Sequence, residues 1–151
     1  VAKGKYTIMG DADDSYNFLE LKGFLKELRN GTDLVIGNRF KGNMEKGSMK
    51  FLHRYIGTPM ISYLARKKYK IPVGDFNCGL RGYVTEKIKN LNCEASGMEY
   101  ATEMLIKASQ ADLIIGEIPI NFYKDKRNKK SHLRTVRDGI RHLKVIIEKA
   151  I

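Results

Sequence analysis

The sequence predicts an α/β fold: a mostly parallel sheet flanked by helices, in a single domain spanning residues 1–151. Two features predict it. Short runs rich in β-branched and aromatic residues alternate with longer segments whose apolar residues recur every three or four positions. Each change of period is marked by Gly, Pro or Asn-Gly, the residues that stop or turn a chain. Strand-then-helix alternation favours parallel pairing, because each helix returns the chain across one face of the sheet. At 151 residues the chain is long enough for one domain with a core and short of two ordinary ones.

"KYTIMG" reads as a buried strand ending at Gly10. "NFLELKGFLKELRNG" carries Phe18, Leu21, Phe24, Leu25 and Leu28 at helical spacing, with Asn30-Gly31 as its stop. "DLVIGNRF" returns as a strand, and "KGNMEKGSMK" is a Gly- and Lys-rich loop long enough to be mobile. "FLHRYIGTPMISYLARKKY" is a helix on which Leu52, Ile56, Met60 and Leu64 form one stripe. After a turn at Ile71-Pro72, "VGDFNCGLRGYV" is a loop leading into a short strand. "TEKIKNL" and "GMEYATEMLIKASQ" are helical, the second with Met98, Ala101, Met104, Leu105 and Ala108 inward. "DLIIGEIPINFY" is a strand that Pro119 places at an edge or an end. Residues 131–151 form a basic amphipathic helix with Leu133, Val136, Ile140, Leu143 and Ile147 on one face.

Composition narrows the class. Apolar content of 42% and charged content of 30% are those of a soluble globular protein, with no low-complexity tract and no apolar run long enough to span a membrane. Val1 stands where a start Met is expected and a strand begins by residue 5, so an upstream part is expected to be missing. Cys78 and Cys93 are too few and too far apart for a disulfide scaffold or a CxxC metal site, and His53, His132 and His142 show no ligand spacing. The net charge of +11 suits nucleic acid, an anionic membrane surface or a phosphate-bearing substrate. From Asn121 to Ile151 ten Lys or Arg stand against three Asp or Glu, a net of +7.

Against that charge, "GDADDSY" places Asp11, Asp13 and Asp14 directly after a strand. Such acids can cap the next helix. They can also hold a cation, and three features favour that. They lie at the carboxyl end of a strand, where open α/β sheets bind ligands. Ala12 between Asp11 and Asp13 leaves room, and Arg39, Arg81 and the Lys124 to Lys130 run belong to loops expected at the same edge. A carboxylate about 4 Å from a phosphate oxygen is repelled by roughly 4 kcal/mol at an effective dielectric of 20. A divalent cation between them reverses the sign, and Mg²⁺ binds in this way through one or two carboxylates plus substrate phosphates, Mn²⁺ accepting the same ligands.

"GDADDSY", "GNRF", "GDFNCGLRGY", "GMEYATEM", "IPINF" and "SHLRTVRDGIRHL", in that order, resemble the C-terminal two-thirds of a family-2 glycosyltransferase of GT-A fold. The likeness is greatest to polyprenyl-phosphate sugar synthases of the dolichol-phosphate mannose or glucose type. It implies metal-dependent, inverting transfer of a hexose from a nucleotide-diphosphate sugar to a polyprenyl phosphate at the cytoplasmic face of a membrane. It further implies that Asp11 and Asp13 bind the metal (Mg or Mn), while Ser15 replaces a frequent Gln two residues on. Arg39 would contact donor or acceptor phosphate, and Asp75 and Arg81 would wall the sugar, with Cys78 in a usual Ser place. Glu99 falls near the acidic position that related enzymes use as general base, and Arg127, Lys130 and Ser131 resemble a basic segment at the phosphate end of the pocket.

A phosphate acceptor is already ionised, so catalysis reduces to placement and charge stabilisation. A sugar-hydroxyl acceptor would need a base, for which Glu99 or Asp75 is the candidate; Glu99 can equally be an ion-paired helix residue and Asp75 a turn residue. The C-terminal helix either packs on the sheet or rests Arg134, Arg137, Arg141 and Lys144 on anionic headgroups. The rival class is an RNA-binding module, since "NFYKDKRNKK" interleaves aromatic and basic residues. No RNP, KH or zinc-finger pattern accompanies it, and the acidic loop opposes a phosphate backbone, so nucleic acid is not an expected partner.

Overall fold

The structure is a computed structural model that describes residues 2–49, 51–97 and 99–126, together with Ile140, Leu143, Lys144, Ile146 and Ile147. Its strands are β1 (Tyr6–Met9), β2 (Leu34–Asn38), β3 (Arg81–Val84) and β4 (Ile115–Pro119), and its helices α1 (Leu21–Arg29), α2 (Thr58–Tyr69), α3 (Thr85–Lys89) and α4 (Tyr100–Gln110). The four strands form one sheet in the order β1-β3-β2-β4. The α/β class holds, and Pro119 ends an edge strand, where its missing N–H costs no ladder bond.

The sheet is mixed rather than mostly parallel. β2 and β4 pair in parallel, but β3 runs antiparallel to both β1 and β2. Residues 39–80 contain a helix, yet they leave and re-enter the sheet at the same edge, so β3 must run back. Strand-helix alternation alone does not distinguish such an excursion from a true crossover. β1 is half-buried, as befits an edge strand, whereas all five residues of β2 are buried.

α1 packs on one face. Phe24 and Leu28, its buried residues, lie over Gly82 of β3, where a side chain would meet them and Ile8. Asn30 ends the helix and Gly31, at φ 101°, turns the chain into β2. On the opposite face α4 buries Met104, Leu105 and Ala108, and Arg81 reaches its Ala101 carbonyl. Met98 lies outside the described residues.

α2 departs from expectation. It begins on a π-helical turn, His53–Gly57, and the side chains it buries are small or polar: Thr58, Ile61, Ser62 and Ala65. The stripe of Leu52, Ile56, Met60 and Leu64 faces solvent. The Gly- and Lys-rich loop is pinned rather than loose, since Glu45 N donates to the Phe122 carbonyl and Phe122 N to that of Asn43, both at 2.9 Å. Of the expected C-terminal helix, the described residues Ile140, Leu143, Lys144, Ile146 and Ile147 are helical, and Ile146 is buried. Lys68 Nζ and Tyr69 Oη donate to its carbonyl at 2.6 and 2.7 Å, docking this stretch on the end of α2.

Candidate functional site

The antiparallel course of β3 sets where the site lies. Arg81, its first residue, pairs with Met9 at the end of β1 and Ile36 near the end of β2. The acidic loop, the loop after β2 and the "GDFNCGL" loop therefore meet at one sheet edge. The segment after β4 closes over them: Tyr123 N donates to the Ser15 carbonyl at 2.9 Å, and Phe122 packs on Tyr16 with ring centroids 5.3 Å apart.

Within the acidic loop, Asp13 Oδ1 accepts a hydrogen bond from Ser15 N at 3.1 Å, an Asx turn that fixes the loop's second half. Asp14 takes a left-handed conformation, φ 61°, and forms an exposed ion pair with Lys126 at 2.7 Å. Ser15, which stands in place of the frequent Gln, is buried. Asp11 lies against Gly79, where a Cβ would come within 2.2 Å of its Oδ2. The buried Tyr16 hydroxyl accepts from Gly79 N at 3.0 Å and also bonds the Asp11 carboxylate. Loss of solvation and then the charge of Asp13 raise the Asp11 carboxyl above its ordinary value, against the pull of Arg39 and Arg81.

Two mutually repelling carboxylates at a cationic edge are a fitting donor set for a hard divalent ion. They would supply oxygen ligands of the kind Mg²⁺ takes from protein, one or two carboxylates beside substrate phosphates and water. Among the described residues no group of three or more His, Cys, Asp or Glu could hold a metal.

Arg39 and Asp75 form a buried bidentate pair. Nε donates to Oδ2 at 2.7 Å and Nη2 to Oδ1 at 2.8 Å, while Arg39 N adds a third bond to Oδ2. Burial would push the Arg39 guanidinium down, but the Asp75 charge and hydrogen bonds hold it well above its ordinary value. Its guanidinium also lies 5.1 Å from the Phe122 ring centroid. Beside this pair, Glu117 accepts from Asn38 Nδ2 at 2.9 Å, from Gly74 N at 2.7 Å and from Lys41 Nζ, tying the loops after β2 and before β3 to β4.

Arg81 stands behind the site rather than in its wall. It is fully buried, and its guanidinium donates to the carbonyls of Cys78 (2.9 Å), Ala101 (2.5 Å) and Phe76 (2.7 Å). It thereby bolts the 75–80 loop to α4. The buried Cys78 thiol is pushed up to about 12 by burial and the Asp75 charge. Glu99 is the N-cap residue of α4, and its carboxylate folds back over Gly97. Glu103, one turn on, is fully buried and accepts from Glu94 N and Ala95 N at 3.1 and 2.7 Å. Arg127, Lys130 and Ser131 lie outside the described residues, as do Arg134, Arg137 and Arg141.

Sequence reasoning passed over Tyr16, Gly79 and Glu117. Each sits within a motif already singled out: Tyr16 ends "GDADDSY", Gly79 lies within "DFNCGLRGY", and Glu117 precedes "IPINF". Their partners are 63 residues apart for Gly79 with Tyr16 and 79 for Glu117 with Asn38, a distance no local pattern reports.

Residues 1–91 match the family described as Glycosyl transferase family 2. Two relatives from Haloferax volcanii extend the likeness. The low-salt glycan biosynthesis hexosyltransferase Agl6 is 34% identical over 149 residues, covering 98% of this chain and 36% of that protein. The glycosyltransferase AglJ is 26% identical over 134 residues, covering 89% of this chain and 44% of that protein. The chain thus spans less than half the length of either relative.

Proposed function

This chain belongs to glycosyl transferase family 2, and from that premise we propose that it acts in transferring a hexose from a nucleotide-diphosphate sugar to a polyprenyl phosphate, with inversion and with a divalent metal. The hexosyltransferase named among its relatives supports the transferred group. One observation favours the acceptor: both oxygens of Asp75, a carboxylate at the centre of the site, are taken by Arg39. A carboxylate held in this way is a poor general base, and a phosphate acceptor needs none.

Asp11 and Asp13 are the residues that would hold Mg²⁺ or Mn²⁺, whose chemistry there is to neutralise the leaving nucleoside diphosphate. Tyr16 and Gly79 orient Asp11, and the Asx turn orients Asp13. The Arg39–Asp75 pair contributes a fixed dipole with its guanidinium beside Phe122, and Arg81 keeps the loop that carries Asp75 in register. The basic segment from Lys124 onward, with Arg127 and Lys130, would supply positive charge for the phosphates, and Ser131 a neutral hydroxyl donor. The acceptor oxygen attacks the anomeric carbon opposite the diphosphate, whose bond to that carbon breaks as the new one forms.

The test is transfer of labelled sugar from a panel of UDP- and GDP-hexoses to a short polyprenyl phosphate by the full-length protein, with Mn²⁺ or EDTA, comparing wild type and Asp13→Asn. Transfer that needs metal and vanishes in Asp13→Asn is expected. Transfer that persists in EDTA would overturn the metal role. Transfer only to sugar hydroxyls would overturn the acceptor and move the base role to Glu99.

A further inference from the structure

Glu117 is a charged residue in the middle of edge strand β4, opposite Ile36 of β2. Its side chain is 10% exposed, so its carboxylate has exchanged most of its water for protein donors. The two oxygens face different partners. Oε2 accepts from Asn38 Nδ2 at 2.9 Å and from Gly74 N at 2.7 Å, while Oε1 accepts from Lys41 Nζ, on a side chain 60% exposed. Burial would raise this carboxyl, but the bonds from Lys41, Gly74 and Asn38 hold it below its ordinary value, so it is ionised at neutral pH.

The place of the two loop donors in the chain gives these bonds their meaning. Asn38 directly precedes Arg39, and Gly74 directly precedes Asp75. One oxygen of Glu117 therefore joins the chain at the residue before each member of the buried Arg39–Asp75 pair. Asn38 is held in turn, since its Oδ1 accepts from Phe40 N and Lys41 N at 2.9 and 3.0 Å, which leaves Nδ2 for Glu117. Gly74 fits closely: a Cβ there would lie 2.9 Å from Asn38 Nδ2. An acidic residue on an edge strand can serve to discourage pairing with another chain. That purpose needs no donors one residue from each partner of a buried ion pair.

We propose that Glu117 is a positioning residue for sugar transfer: through Asn38 and Gly74 it sets the spacing of two loops, and so the placement of the Arg39 guanidinium in the site. The role in transfer rests on the reaction proposed above; the clamp on Arg39 does not. Misplacing a group by about 1 Å can cost about a hundredfold in rate. The division of the two oxygens predicts which substitutions matter. Glu117→Gln, with its carbonyl in the place of Oε2, keeps both loop bonds and gives up the Lys41 bond, and the exposed Lys41 ammonium turns to water. Glu117→Ala loses all three.

The experiment has two arms, with each variant's folding checked by circular dichroism. The Arg39 Nε–H resonance, read by NMR in isotope-labelled protein free of donor and acceptor, reports the guanidinium without turnover. In Glu117→Ala it shifts and exchanges with water about tenfold faster or more; in Glu117→Gln and Lys41→Ala it stays as in wild type. Gly74→Ala leaves Glu117 in place but crowds Asn38 Nδ2, and it shifts the resonance too, so the clamp remains testable if Glu117→Ala folds poorly. In the transfer assay above, Glu117→Ala lowers kcat by about tenfold or more with donor KM within about threefold, and Glu117→Gln restores kcat to within about threefold of wild type. An unmoved resonance in both alanine variants overturns the clamp. A Glu117→Gln protein as impaired as Glu117→Ala overturns it too, since charge rather than the loop bonds would then matter. Wild-type kcat in a Glu117→Ala protein whose resonance has shifted overturns the role in transfer. If wild type transfers no hexose to polyprenyl phosphate, the proposed reaction fails, and the resonance arm still decides the clamp.

Discussion

Replacing Asp75 by Asn tests whether this carboxylate is architectural. In the native protein it accepts three hydrogen bonds from Arg39, two from the guanidinium and one from the backbone N–H. Asn keeps the volume, removes the charge, and points an N–H₂ group at a guanidinium that has only donors to offer. Arg39 is then a buried cation without a counter-charge. Removing one partner of a buried ion pair costs about 3–5 kcal/mol. For a chain of this size each kcal/mol moves Tm by about 2–4 °C, so the expected fall is about 6–20 °C. That is a large part of a typical stability of about 5–15 kcal/mol.

Thermal and urea melts by circular dichroism measure the loss. The companion variant Arg39→Met/Asp75→Leu separates charge isolation from damage to the loop. With both charges gone and the volume roughly kept, most of the stability returns. An Asp75→Asn protein melting within about 2 °C of wild type would refute the reasoning, and loss of transfer in such a protein would assign Asp75 a chemical role. A double variant as unstable as the single one would refute the charge argument in another way, pointing to the backbone bond at Arg39.

Two further outcomes follow from the same geometry. Gly79→Ala places a Cβ within 2.2 Å of Asp11 Oδ2 and 2.8 Å of its Cγ, so the carboxylate must swing away. Mn²⁺ affinity and sugar transfer are expected to fall by about tenfold or more, while Tm falls less than in Asp75→Asn; wild-type Mn²⁺ affinity in Gly79→Ala would refute the placement of Asp11. In native protein at pH 8, a thiol reagent should modify the half-buried Cys93 and leave Cys78 until unfolding, because a thiol held at about 12 has far less reactive thiolate. Relative to an ordinary cysteine the deficit is about a thousandfold, and two equivalents reacting at one rate in the native state would refute it.

The elements that sequence made legible are those whose signals are local. Phe24 and Leu28 marked the buried face of α1 because helical spacing repeats over a few residues, and Asn30-Gly31 marked its end. The acidic loop was legible for the same reason, since two carboxylates flanking an Ala need no distant context. Arg81 was not. An arginine beside an aspartate-bearing loop looks like a substrate contact until its three donors are found on the carbonyls of Cys78, Ala101 and Phe76. α2 failed differently: its apolar stripe had the period of a core helix, but periodicity reports a shared face and not which way the face points. The absence of acids from residues 46–74 was the available sign that this face turns outward.

The direction of β3 was the one topological feature that no pattern carried, and the site depends on it. Had β3 run parallel to β2, Arg81 and the loop before it would have opened at the opposite edge. Four residues of strand rise about 13 Å. Across that span Asp75 could not meet Arg39, since a bidentate pair requires heavy-atom separations of about 2.7–2.9 Å. Gly79 could not back Asp11 either. Exposed charges that far apart are largely screened at physiological salt, so the edge would hold two repelling aspartates with little nearby to balance them. The antiparallel return brings Asp75, Gly79 and Arg81 to the acidic loop in one step. The excursion that makes it possible, residues 39–80, includes α2 and its outward apolar face. Site assembly thus derives from a departure from the parallel plan, and perturbing α2's seat on Phe76 N should disturb the loop that carries Asp75.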